Sequence, residues 1–108
     1  MIAQDAASLF GVLSNADRLG VIRALVEAGP DGMSAGAIAR KIGASPSRAS
    51  FHLHALSEAG FVHKERQSRN LNYRMDFKTL GRLITFLMED CCKGSAELRR
   101  CCSMGRMN

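Results

Sequence analysis

A mainly α-helical domain carrying one β-hairpin is the fold class the sequence predicts, and three observations predict it. Apolar residues recur at helical spacing in five stretches, and the period changes to an extended one between residues 61 and 76. The length, 108 residues, suits one hydrophobic core and not two.

Ala6, Leu9, Phe10 and Leu13 stand at i, i+3, i+4 and i+7, the stripe of a first helix from about residue 3 to Ser14. Asn15 caps a second helix, expected to be short and buried, that turns Leu19, Ile22, Leu25 and Val26 inward. The run Ala28-Gly29-Pro30-Asp31-Gly32 breaks it. Ser34 caps a third helix with Ile38, Ala39 and Ile42 as its apolar contacts, and Gly43 ends it. Ser45 and Pro46 open a fourth, since proline is tolerated in a first turn where its missing N–H costs nothing. Ala49, Leu53 and Leu56 lie on one face of that helix, which stops at Ala59-Gly60. Two extended segments, Phe61 to Arg66 and Leu71 to Asp76, flank the polar Gln67-Ser68-Arg69-Asn70 and read as a hairpin. From Phe77 the helical period returns, with Leu80, Leu83, Ile84, Leu87 and Met88 on a fifth helix. The domain is therefore assigned to residues 1–90, and 91–108 to a cysteine-containing tail without a core of its own.

Two short helices joined by a tight turn and followed by a basic hairpin make a helix-turn-helix with a wing, whose second helix enters a major groove. Turning Ala49, Leu53 and Leu56 inward at about 100° per residue sends Ser47, Phe51, His54 and Glu58 outward, with Arg48 and Ser50 on the flanks. Arg48 is suited to donate two bonds to guanine, Ser47 to bond groove edges or phosphate, and Phe51 to touch a thymine methyl. Phe51 has the alternative of packing on a neighbouring helix, and Ser47 and Arg48 that of solvating the first turn. His52 falls at the edge of the inward face, where it serves either a structural hydrogen bond or a base contact, and His54 is placed for phosphate. Lys64, Arg66 and Arg69 put charge along the hairpin, whereas Arg74 reads as an ordinary solvated arginine. The expected DNA-binding set is Ser45, Ser47, Arg48, Ser50, Phe51, His52, His54, Arg66 and Arg69.

Fifteen Lys and Arg against ten Asp and Glu give a formal charge of +5, which favours a polyanionic partner. No apolar run spans a bilayer and the Met1 end lacks a signal-peptide pattern, so a cytoplasmic protein without a membrane partner is expected. A thiol reductase is the enzyme to consider. The chain has no Cys-x-x-Cys motif, phosphate-cradling loop or Cys and His pairing, so no enzyme and no organic cofactor are expected. The first and fifth helices each offer an apolar stripe that so small a domain cannot cover from within, which predicts a homodimer through those helices.

The chain resembles the ArsR/SmtB-type winged-helix repressors from Leu13 to Met88. The resemblance rests on Leu13-Ser14-Asn15-Ala16-Asp17-Arg18-Leu19, on Ser50-Phe51-His52-Leu53-His54-Ala55-Leu56 with Ala59-Gly60-Phe61-Val62, and on Arg66-Gln67-Ser68-Arg69 leading to Tyr73. It implies a dimer built on the first and last helices that binds double-stranded operator DNA and leaves it when a metal, metalloid or oxidant binds.

All four cysteines lie near the C-terminus, as the adjacent pairs Cys91-Cys92 and Cys101-Cys102. They cannot staple the rest of the chain, so free thiols or metal-bound thiolates are expected. Cys91 continues the fifth-helix stripe, where a buried thiol closing the seam is the plain alternative. Trivalent arsenic or antimony takes three sulfurs in a pyramid, which Cys91, Cys92 and one of Cys101 or Cys102 would supply; zinc or cadmium would take all four. Lys93, Arg99 and Arg100 would lower the thiol pKa values if close in space. The third helix has no cysteine and the fifth lacks a His and carboxylate set, so the resemblance moves sensing to the C-terminal thiols and makes As(III) the expected inducer, with Sb(III) or a methylated arsenical as variants. A disulfide or persulfide switch is the competing reading of the same thiols.

Overall fold

The computed structural model describes residues 1–105, with side chains through Cys102; the last residues of the predicted tail, 106–108, lie outside the described residues. Helix α1 spans Ala3–Leu13 and α2 spans Ala16–Ala28. Asn15 caps α2 by accepting from the Arg18 N–H. A single 3-10 turn, Gly29–Asp31, leads to strand β1, Met33–Ser34. Helices α3, Ala35–Ile42, and α4, Pro46–Glu58, follow, then strands β2, Val62–Gln67, and β3, Asn70–Met75. Helix α5 runs over Phe77–Thr85 and continues as a π-helical segment, Phe86–Cys91, before α6, Ala96–Gly105.

The mainly helical fold with a hairpin is as predicted, with three differences. Helix α2 is not short: its 13 residues equal those of α4. Its inward face is Val21, Ala24 and Leu25, while Leu19 and Val26 are 52% and 42% exposed. Of the expected stripe, Leu25 is buried and Ile22 packs against the core, so the face is rotated by part of a turn toward Val21 and Ala24. The second difference is the sheet, which has three strands in the order β1-β3-β2, all antiparallel. Two residues of β1 pair with Tyr73 and Asn72, and so short a strand carries no period to read.

The third difference lies beyond Thr85. The π-helical segment, in which the Cys92 N–H reaches the Leu87 carbonyl at 3.1 Å, changes the angular step, so the α5 stripe does not continue onto the cysteines at unchanged spacing. Positive φ at Lys93 and Gly94 then reverses the chain. Ser95 opens α6 by accepting from the Leu98 N–H at 3.2 Å.

The core sits where α2, α3, α4 and the base of the sheet meet, with Ala6 of α1 and Leu83 of α5 closing it. Val21, Leu25, Ile38, Leu53, Leu56, Phe61 and Leu83 are its fully buried side chains. Phe61 and Val62 fix the hairpin to it, and the Asp76 N–H returns to the Phe61 carbonyl at 2.8 Å where the hairpin closes. Among the described residues no helix is long and apolar enough to cross a membrane.

Candidate nucleic-acid interface

The turn between α3 and α4 is set by backbone geometry. Gly43 takes a left-handed φ of 68°, and the Ala44 N–H folds back to the Ala39 carbonyl at 2.9 Å. Ser45 then caps α4 by accepting from the Arg48 N–H at 3.2 Å. Its hydroxyl is thereby engaged in holding the helix start.

Ser47, Ser50, Phe51 and His54 are exposed on α4. Phe51 is 64% exposed, an unusual state for a large aromatic ring, and its face lies 5.8 Å from the Arg18 guanidinium. The His54 ring is 4.0 Å from the Glu58 carboxylate, one turn on.

His52 is the residue for which the expectation of DNA contact is corrected. It is only 6% exposed, and its Nδ1 accepts from Arg18 Nε at 3.1 Å while its Nε2 faces the Asp17 carboxylate at 3.4 Å. With both nitrogens turned to α2, the ring has no edge left for a base. Arg48 is exposed but not free. Its Nε donates to Asp17 Oδ2 at 2.9 Å, and its Nη2 to the Gly43 carbonyl at 3.3 Å.

The wing is a hairpin with a two-residue turn, since Gln67 pairs with Asn70. Val62, Lys64 and Arg66 share the face on which Tyr73 and Met75 enter the core, because directly paired residues project to the same side. Lys64, Arg66 and Arg69 are exposed, beyond the edge of that core. On the opposite face Arg74 donates to Glu65 at 2.7 Å, which leaves it paired. His63 and Asp76 pair at 2.7 Å at the base, and Asp76 also caps α5 by accepting from the Thr79 N–H at 3.0 Å. That backbone bond, with His63 beside it, holds the Asp76 carboxyl below its usual value.

The cysteines do not form one site in this arrangement. Cys91 and Cys92 are neighbours whose thiols interact; partial burial and then Cys91 push the Cys92 thiol up, not down. Cys101 and Cys102 lie exposed on α6. Among the described residues no three His, Cys, Asp or Glu side chains come close enough to hold a metal ion. Arg99, expected to activate a thiol, instead pairs with Glu89. A three-sulfur ligand set is therefore not assembled here.

Sequence reasoning gave no role to Asp17 and Arg18, which carry the contacts between α2 and α4. Their only signal was their place in the stretch Leu13 to Leu19. A partner 31 or 34 residues away is not readable from local spacing.

A helix-turn-helix followed by a wing, with cations on the wing and an exposed aromatic on the second helix, defines a DNA-binding regulator of transcription and not an enzyme. Comparison with known proteins finds such regulators similar to the chain. Residues 13–65 match the helix-turn-helix domain family. NolR from Sinorhizobium fredii is 29% identical, with 87% of this chain and 89% of that one covered and a TM-score of 0.66. The transcriptional repressor BigR from Xylella fastidiosa is 27% identical, with 81% and 88% covered and a TM-score of 0.65. The homodimeric winged helix-turn-helix DNA-binding domain of a possible ArsR-family regulator from Mycobacterium bovis is 24% identical, with 86% of each chain covered and a TM-score of 0.63. No curated protein sequence matches the chain.

Proposed function

We propose that the protein is a homodimeric transcriptional repressor that reads operator DNA with α4 and the β2–β3 wing, and that trivalent arsenic bound to C-terminal thiolates releases it. The observation that carries the DNA reading is the exposed Phe51 on α4, in line with a wing whose Lys64, Arg66 and Arg69 are all exposed. The ring meets the Arg18 guanidinium and, edge to face, the His52 ring, but its outward side has no role in the fold. Apolar contact with a thymine methyl gives it one, and the wing cations supply the sequence-independent attraction to phosphates.

The dimer reading is supported by α1 and α5. Ile2, Phe10, Phe77, Ile84 and Leu87 are large apolar residues left exposed there, a patch that a two-fold partner would cover. The Mycobacterium bovis neighbour is a homodimer. Two recognition helices held by such a seam bind half-sites about 34 Å apart, which predicts an imperfect inverted repeat.

For the inducer, support comes from the vicinal pair Cys91-Cys92 at the end of the α5 extension and from the second pair on α6. Soft metalloids select thiolates, and a methylated arsenical needs two sulfurs where As(III) or Sb(III) needs three. A three-sulfur set requires α6 to close on the π-helical segment, with Cys101 or Cys102 as the third donor. A coupling of about 1 to 3 kcal/mol between two sites weakens operator binding roughly 5- to 150-fold.

The test is a duplex-binding titration with arsenite, zinc, cadmium and peroxide, repeated for Cys→Ser at each of the four positions. Cys91→Ser and Cys92→Ser are expected to bind DNA normally and to lose the arsenite response. Release by zinc or cadmium alone, or by peroxide alone, would replace arsenic with a metal or redox signal. A protein that stays monomeric, or ignores every duplex at low ionic strength, would remove the reading altogether.

A further inference from the structure

We infer that Asp17 is a specificity-determining residue: it grips one edge of the Arg48 guanidinium so that the other edge is presented to a guanine in the major groove. The inference rests on the reading of α4 as the DNA-facing helix, and it assigns a role to a residue on α2.

The geometry turns on which donors are engaged. Arg48 Nε–H goes to Asp17 Oδ2 at 2.9 Å and Nη2 to the Gly43 carbonyl at 3.3 Å. Nε–H and one N–H of Nη2 lie side by side on the same edge of the planar fork. The end edge is formed by Nη1, which has no protein partner among the described residues, and by Nη2, which keeps a second N–H beyond the one given to Gly43. That end edge is one a guanidinium uses to bond O6 and N7 of guanine together. Gly43 contributes because its left-handed turn aims its carbonyl at the start of α4, and Asp17 because α2 delivers it there.

Asp17 is itself fixed. It sits in the first turn of α2, where a carboxylate is favoured by the helix dipole, and Nε2 of the buried His52 faces the same oxygen at 3.4 Å. Arg18 Nε donates to His52 Nδ1 at 3.1 Å, so the ring proton resides on Nε2, toward Asp17. Arg18 is tied in turn to the Val12 carbonyl at 3.1 Å. The end of α1, the start of α2 and the recognition helix are thus joined by the adjacent Asp17 and Arg18 acting together.

Electrostatics decide between the two uses of Arg48. A phosphate contact needs positive charge and tolerates many orientations, so an adjacent carboxylate would only weaken it. A base-edge contact needs a fixed plane, and a guanidinium held at one edge loses less rotamer freedom when it docks. The Asp17 contact costs charge and supplies orientation, which suits a reader of bases.

The test begins with selection from a random duplex library by the full-length wild-type protein. Affinities for the selected duplex and each of its single-base-pair variants are then measured against salt for wild type, Asp17→Ala, Asp17→Asn, Arg48→Ala and Asp17→Ala/Arg48→Ala. Arg48→Ala is expected to lose roughly 10-fold discrimination at one G·C pair per half-site. Asp17→Ala should lose most of the discrimination at that same pair, with the salt slope and discrimination elsewhere unchanged. Asp17→Asn, which keeps an acceptor oxygen, should retain part of it. In the Arg48→Ala background Asp17→Ala should add nothing at that pair. Tighter binding of every duplex by Asp17→Ala would show that the carboxylate merely neutralises Arg48 and would overturn the inference, as would uniform weakening with a lowered melting temperature. Wild-type protein that selects no sequence overturns the DNA reading itself, whereas normal selection with Asp17→Ala discrimination intact overturns only the role of Asp17.

Discussion

Gly32 stands where a side chain has no room. Its φ is +70°, and a Cβ there would run into the backbone carbonyl of Tyr73 and sit 2.9 Å from the Asn72 amide. That amide donates to the Asp31 carbonyl at 2.8 Å, so the turn before β1 is clamped to β3 from both sides. Gly32→Ala combines a left-handed conformation with overpacking against backbone, and we expect it to cost about 2 kcal/mol or more, read as a lowered urea midpoint. Asp76 sets the acid side of stability. Because the Thr79 N–H and then His63 favour its ionised form, its folded pKa lies below the unfolded one. The resulting stabilisation is complete above the unfolded pKa and is lost as pH falls through the folded pKa. Denaturant midpoints should therefore fall below about pH 4, and Asp76→Asn should be less stable at neutral pH with a flatter acid limb. At this scale the sequence was half legible. The period placed Ala49, Leu53 and Leu56 inside, as found, but it could not say that His52 and Arg48 meet a carboxylate from α2, since a helical wheel describes one helix only.

Among elements, the wing is the one whose contribution to DNA binding can be counted. If Arg66 and Arg69 each neutralise a phosphate, Arg66→Ala and Arg69→Ala should each reduce the slope of log affinity against log salt by about 0.9 while leaving the melting temperature near wild type. Arg74→Ala should leave the slope unchanged, since Glu65 already pairs it. The helices α2 to α4 were readable because caps and breakers bracket them: Asn15, Ser34 and Ser45 each accept a backbone N–H of the first turn, and Gly43 closes α3; α1, without a side-chain cap, was readable from its apolar stripe. Helix α6 was legible in principle, since Ser95 follows Gly94 as a cap follows a breaker, but the polar composition of the tail argued against a packed element. The π-helical segment has no signature in spacing, because one inserted residue per turn only shifts the face that the period indicates.

For the whole molecule, the radius of gyration is 15.2 Å, against about 13 Å for a compact chain of this length. In the homodimer proposed above, the outlying helices would pack on another copy. Ile84, 54% exposed on α5, is the probe of that seam. Ile84→Glu should shift sedimentation to the monomer and weaken duplex binding by at least tenfold, because one reading head without its twin loses the second half-site. Far-UV circular dichroism of the variant should stay close to wild type, since the residue is not in the core.

The pairing of Met33 and Ser34 with Tyr73 and Asn72 ties the entrance of α3 to the rear strand of the hairpin. Residue Ser34 is at once the last rung of that ladder and the cap of α3. In the DNA reading proposed above, the parts that would make major-groove and backbone contacts are therefore joined through backbone pairing. The angle between them is set when the chain folds, so on that reading an operator would have to match both grips at once, and a sequence that bends the duplex away from one would be rejected by the other.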